Sequence, residues 1–247
     1  MRFNTSAGGA NAAIVGDLVL LHRAPNPLTP AQRSLKRIVD VAGSLCLLVL
    51  AGPAMLLAAI LIRLTSKGPA IFAQTRVGID GRRFSLYKLR TMIAGAEART
   101  GPVMATAGDP RITRIGRILR ATRVDELPQL INVLLGEMSL IGPRPERPHF
   151  VRIYRRRFPG YDFRLRVKPG ISGLAQTCSR YSTTPALKLR FDLRYIYHYS
   201  LLLDAEIAVR TIFTVLQPSR AEGIERAPGR QPTDSDARSD DAPGDGG

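Results

Sequence analysis

One stretch decides what this chain can fold into. From Val41 to Ile62 it reads VAGSLCLLVLAGPAMLLAAILI, twenty-two residues without a charge. Uncharged runs of about 18 or more are membrane-segment candidates. Gly52-Pro53 sits at its middle. Proline removes a backbone donor and crowds the preceding turn, so a kink is expected there. Both flanks are basic: Arg33, Lys36 and Arg37 before the run, Arg63 and Lys67 after it. Basic flanks favour the cytoplasmic side. Two cytoplasmic ends require a helix that enters, bends and returns, each limb of about 11 residues reaching roughly 16 Å. The competing reading is a kinked helix that crosses. The expected organisation is a loose stretch 1–30, a re-entrant membrane helix 31–67, a catalytic domain 68–217 and a disordered acidic tail 218–247.

Charge narrows the partners. The whole chain carries +16, but the segment after Leu216, from Pro218 onward, has four arginines against seven carboxylates. The body therefore carries +19 and seeks anions: nucleic acid, an acidic membrane or phosphorylated substrates. Cys46 and Cys178 are far apart, and His22, His149 and His198 do not cluster, so neither a disulfide framework nor a zinc site is expected. No signal peptide is expected, because Asp17 interrupts AAIVGDLVLL.

Local patterns place the remaining motifs. AIFAQTRVG and RFSLYKLR read as strands around the Asp80-Gly81 turn. ITRIGRILRAT is a basic amphipathic helix, suited to a membrane surface or to a packed helix with a solvated basic face. Leu127 to Leu135 is helical, with Gly136 as the stop, and Pro185 to Leu216 is helical throughout. RLRVKPGISGLAQ is turn-rich. The fold class expected is α/β, helix-rich with a small sheet.

RVDELPQL sets Asp125 beside Glu126 in this basic chain. Asp125 suits a helix cap, and the positive end of a helix would keep it ionised. Adjacent helical side chains diverge by about 100°, so the two carboxylates suit separate jobs: one a nucleophile, the other a metal ligand or proton carrier. GPRPE holds Arg144 between Pro143 and Pro145. Proline fixes φ, which lowers the entropy lost in aiming that guanidinium at a phosphate. Lys88 and Arg90 alternate along a strand and share a face, a second anion contact.

These motifs, in order, are KRIVDVAGSL, RVGIDGRRFSLYKLRTM, DPRITRIGRILRATRVDELPQLINVLLGEMSLIGPRPERP, RVKPGISGLAQ and FDLRYIYHYSLLLDAEI. Together the chain resembles the monotopic phosphoglycosyl transferases of bacteria over roughly 34–216. The resemblance implies transfer of a sugar 1-phosphate from a UDP-sugar to a polyprenol phosphate, usually undecaprenyl phosphate, with release of UMP. It implies Asp125 as nucleophile of a covalent phosphosugar intermediate and Glu126 as the partner acid, associated with Mg2+. It implies Lys88 at the phosphate site, Arg144 near the nucleotide, and attachment to the cytoplasmic face of the inner membrane. Gly52 replaces the serine usual before the kink proline. AQTCSRY departs from the usual Gln-Val-Asn type of sequence, and Phe191 stands where tyrosine is common. The GPRPERP form of the motif, without an added membrane domain ahead of the helix, points to a glucose- or galactose-type donor in exopolysaccharide synthesis. The alternative is a basic, membrane-attached protein that binds nucleic acid or acidic lipid without catalysis. The absence of tryptophan from any stacking platform speaks against nucleic acid as a partner.

Overall fold

A computed structural model describes residues 12–15, 18–21, 28–97, 101, 103, 108–178 and 184–215. The acidic tail 218–247 and residues 179–181 of AQTCSRY lie outside the described residues. Within 1–30, β1 (Ala12–Val15) pairs antiparallel with β2 (Leu18–Leu21).

The apolar run forms α1 (Pro30–Thr65). Thr29 starts it with a capping box: its hydroxyl accepts from Gln32 N, and the Gln32 side chain accepts from Thr29 N. Gly52 and Pro53 lie inside the helix, which continues through them. This helix is long and apolar enough to cross a bilayer, yet only 11% of its most apolar window is buried. A core helix of a globular domain would be mostly covered. Here Leu45, Val49, Leu50, Leu56, Leu57 and Leu64 are exposed, which suits membrane association.

β3 (Ile71–Val77) and β4 (Arg83–Leu89) form the expected antiparallel hairpin, with Ile71 opposite Leu89 and Val77 opposite Arg83. Asp80 and Gly81 both take positive φ in the turn. α2 (Arg114–Ala121) packs Ile115 and Leu119 against Ala58, Ile62 and Leu89, while Ile118 stays exposed. α3 (Gln129–Leu135) begins after Pro128 and ends at Gly136, whose φ of 84° is the left-handed stop that glycine adopts without a Cβ penalty. β5 (Ser139–Ile141) follows, then α4 (Pro148–Arg157), then β6 (Gly170–Ser172), which pairs parallel with β5. The short α5 (Leu174–Cys178) precedes α6 (Pro185–Tyr197) and α7 (Leu201–Val215).

The single helix expected over Pro185 to Leu216 is therefore two. The break falls at His198–Ser200, where Ser200 Oγ accepts from Leu203 N and starts a new helix. Both halves carry apolar residues at helical spacing, so periodicity alone did not register the turn. The domain is α/β and helix-rich, with two-stranded sheets. Its largest cores lie under α4 and α6, around Phe150, Tyr154, Leu189 and Leu193, and between β5, α6 and α7, around Ile141, Tyr195, Ile196 and Ile207.

Candidate active site

Asp125 and Glu126 sit in a single 3-10 turn, Val124–Glu126, between α2 and α3. Arg123 enters that turn at φ 59°, a left-handed conformation that disfavours a Cβ by about 1–2 kcal/mol. The reversal aims both carboxylates into the domain, where they are buried. Asp125 caps no helix: the turn and α3 both lack a side-chain cap. The capping expectation fails because Pro128 closes the turn and itself occupies the α3 cap position.

Three cations surround Glu126. Arg144 donates from Nη1 to Oε2 at 3.3 Å and from Nη2 to Oε1. Lys88 Nζ donates to Oε1 at 3.3 Å, and Arg123 Nη1 stands 3.7 Å from the same oxygen. Burial alone would push the Glu126 carboxyl up. Arg144 and Lys88, with Arg123, more than offset that and hold it well below the ordinary carboxylate range. Lys88 is pushed down from the usual lysine value by burial, against the attraction of Glu126.

Asp125 is the opposite case. Among the described residues its carboxylate makes no ion pair or hydrogen bond. Burial and the Glu126 charge push its pKa up to about 6, against the pull of Lys88, Arg120 and Arg144. Desolvation outweighs any helix-end field here. At neutral pH it is still mostly ionised, with its lone pairs free to attack phosphorus or bind a hard cation.

The Arg144 backbone is held at every carbonyl around it. Pro143 O accepts from Gly170 N at 2.9 Å, Arg144 O from Arg164 Nη2 at 2.8 Å, Pro145 O from Arg76 Nη1 at 3.0 Å and Glu146 O from Val77 N at 3.0 Å. Gly142 and Gly170 make the first contact possible. A Cβ on Gly170 would stand 2.1 Å from Gly142 N, a clash no backbone could absorb. Arg164 is buried and bonded to Asp192 Oδ2 at 2.7 and 3.1 Å and to the Tyr161 hydroxyl at 2.6 Å. Arg76 is pushed down to about 10 by burial and by the Arg144 and Arg147 charges, against Glu146.

The residues read from the sequence do not all converge. Asp125, Glu126, Lys88 and Arg144 come together, with Pro143 and Pro145 as backbone acceptors. Arg90 does not join them. Its Nη groups bond Lys67 O at 2.8 Å and Ser66 O at 2.9 Å, closing the end of α1. It lies one residue past β4, so strand alternation no longer governs its direction. Gly52 and Pro53 lie in the exposed middle of α1. Arg123, Arg120, Arg76, Arg164 and Asp192 were missed. Arg123 adjoins the dyad and Arg76 lies in QTRVG, but only folding brings Arg164 and Asp192 near.

Among the described residues no group of three or more His, Cys, Asp or Glu side chains could cage a metal. Two adjacent carboxylates, one unpaired, do fit Mg2+, which binds through one or two carboxylates with substrate phosphates completing its shell. A metal on Glu126 would replace part of its contact with the three cations.

The model of the bacterial sugar transferase family matches residues 31–218. The chain is 44% identical over 191 residues to a UDP-N-acetylgalactosamine-undecaprenyl-phosphate N-acetylgalactosaminephosphotransferase of Aeromonas hydrophila, covering 76% of this chain and 45% of that protein. It is 44% identical over 193 residues to a UDP-glucose:undecaprenyl-phosphate glucose-1-phosphate transferase of Caulobacter vibrioides, covering 75% and 71%. It is 40% identical over 201 residues to the exopolysaccharide production protein PSS of Rhizobium leguminosarum bv. phaseoli, covering 77% and 98%. The chain thus spans under half of the Aeromonas relative and nearly all of the Rhizobium one. With its family model covering the described site from end to end, the chain belongs to the bacterial sugar transferases.

Proposed function

We propose that this protein transfers a sugar 1-phosphate from a UDP-sugar to a polyprenol phosphate and releases UMP. The observation that carries the reading is the contrast between the two carboxylates. Glu126 is neutralised by Arg144, Lys88 and Arg123, whereas Asp125 is buried, makes no ion pair or hydrogen bond among the described residues and is basic enough to attack. A carboxylate oxygen of Asp125 attacks the sugar-bearing phosphorus. The bond from that phosphorus to the UMP oxygen breaks, and UMP leaves with the electron pair. A phosphate oxygen of the polyprenol phosphate then attacks the same phosphorus and displaces Asp125 as a free carboxylate, giving a polyprenyl diphosphate sugar. Donor and acceptor are both anions, and the surrounding guanidinium and ammonium groups offset their repulsion from Asp125.

Mg2+, held by Asp125 and Glu126 together with substrate phosphates, would supply further neutralisation of developing charge. Arg144, in a loop whose carbonyls from Pro143 to Glu146 all accept hydrogen bonds, suits the nucleotide phosphates. The donor is a UDP-hexose, of the glucose or galactose type, for exopolysaccharide or another lipid-linked glycan. The test is UMP release from a panel of UDP-sugars with undecaprenyl phosphate and Mg2+, plus mass spectrometry of the enzyme after UDP-sugar alone. A phosphosugar on Asp125 is expected. An adduct on another side chain, or none during turnover, overturns the reading.

The re-entrant arrangement at the cytoplasmic face of the inner membrane is part of the same proposal. It is supported by how α1 is held. Near its start, Lys36 Nζ pairs with Asp204 at 2.7 Å and Arg37 donates to Val133 O and Leu134 O at 2.6 and 2.8 Å. At its end, Arg90 holds Ser66 and Lys67. One globular domain thus grips both ends, with Asp40 and Ser44 buried near the start and Ala58 and Ile62 near the end, while Leu45, Val49, Leu50, Leu56 and Leu57 between them are exposed. A bilayer core about 30 Å thick would put the ends of a crossing helix on opposite sides. Pro53, at the middle of the apolar run, is where such a helix would bend. The non-catalytic binder has no use for an unpaired buried aspartate and is the weaker reading.

A further inference from the structure

Phe72 is an exposed aromatic at the edge of this site. It is 45% exposed and stands directly opposite Lys88 across the β3–β4 ladder. Directly opposite residues of an antiparallel pair project from the same face. Lys88 Nζ reaches Glu126, so Phe72 shares its hairpin face with the lysine that touches the dyad. It is also at the membrane end of the hairpin. Ala70, two residues earlier, accepts from Arg90 N at 2.8 Å, and Arg90 holds the last turn of α1. Leu61 and Leu64 in that last stretch are 40% and 78% exposed. The Pro-Arg-Pro loop meets the other end of β3, at Val77, about 17 Å along the strand.

We propose that Phe72 is the first apolar step of the acceptor site. It packs against the isoprenoid units next to the lipid phosphate while Lys88 and the dyad meet the phosphate itself. This rests on the proposed transfer reaction. An amphiphile with an anionic head and a branched apolar tail must leave the bilayer along α1 and present its head to Asp125. Phe72 lies on that path, continuous with the exposed last stretch of α1 and at the opposite end of β3 from Val77, where the backbone of the Pro-Arg-Pro loop joins the strand.

Two half-reactions separate the alternatives, using the full chain in detergent or lipid nanodiscs. With UDP-sugar alone, Phe72→Ala should release UMP and form the adduct as the unsubstituted protein does. With undecaprenyl phosphate added, its half-saturating concentration should rise about tenfold, the scale expected for losing one aromatic contact. Phe72→Leu should restore most of it. An unchanged half-saturation, or an equal loss in the UDP-sugar step, overturns the proposal. A second measurement does not depend on catalysis. The chain has no tryptophan, so Phe72→Trp is a unique fluorophore. Undecaprenyl phosphate should shift its emission to the blue and UDP-sugar should not; the reverse order overturns the subsite. If no protein forms an adduct but the emission shift occurs, the transfer mechanism fails and the lipid subsite stands.

Discussion

Arg164 donates to the backbone carbonyl of Arg144 at 2.8 Å, so the arginine that neutralises Glu126 is itself held by a second, buried arginine. Asp192 fixes that second arginine in turn. Removing Asp192 leaves a buried guanidinium without its counter-charge, and Asp192→Asn should destabilise the fold by about 3–5 kcal/mol. Arg164→Lys keeps the charge but cannot reach Asp192, Tyr161 and Arg144 together. We expect a folded enzyme with turnover lowered by about tenfold. Denaturant unfolding and steady-state kinetics on the two variants check both outcomes.

Asp125→Asn should abolish turnover and the phosphosugar adduct, and it should also stabilise the protein. The folded-state pKa lies above the unfolded value, so the ionised carboxylate penalises the fold at pH above about 6 and the penalty disappears as pH falls below the unfolded value. The variant should gain about 1–3 kcal/mol at pH 8 and nothing below pH 4. Thermal unfolding across that range is the measurement. An unchanged or lower midpoint at pH 8 would contradict the burial argument.

The same carboxyl should set the acid limb of the pH profile. Activity needs Asp125 ionised, so kcat/KM should fall as pH drops through about 6. Lys88 pulls this pKa down, and Lys88→Met should therefore move the limb to higher pH as well as lower the rate. A limb near pH 4 in the unsubstituted enzyme would point to a different titrating group.

Glu126→Gln removes the partner charge that raises Asp125 and leaves Arg144, Lys88 and Arg123 without their shared counter-ion. We expect a folded protein whose turnover falls by about 100-fold or more, with any residual acid limb displaced to lower pH. Near-normal rates would refute the assigned role. Chelation of Mg2+ should suppress the unsubstituted enzyme, with activity restored by adding the ion back.

Topology is tested by accessibility. In a background with Cys46 and Cys178 changed to serine, Arg33→Cys and Arg63→Cys should both resist an impermeant thiol reagent applied to the periplasmic side. Both should react in inverted membrane vesicles. Opposite behaviour at the two positions would establish a crossing helix.

Some of this was legible in the chain itself. The β3–β4 hairpin, the α3 stop at Gly136 and the 41–62 apolar run depend on residues a few positions apart, which sequence displays directly. The break at His198–Ser200 escaped because apolar spacing continues across it. Arg90 was misdirected because a strand's alternation was extended one residue beyond the strand's end.

The sequence by itself determined which chemical groups are present and which local elements carry them: an apolar helix, adjacent carboxylates and an arginine stiffened by prolines. Only the tertiary structure decided that Glu126 is neutralised while Asp125 stays without a partner among the described residues. Lys88 and Arg144 reach Glu126 from 38 and 18 residues away. Charge interactions fall with distance and strengthen with burial, and neither quantity exists until the chain has folded.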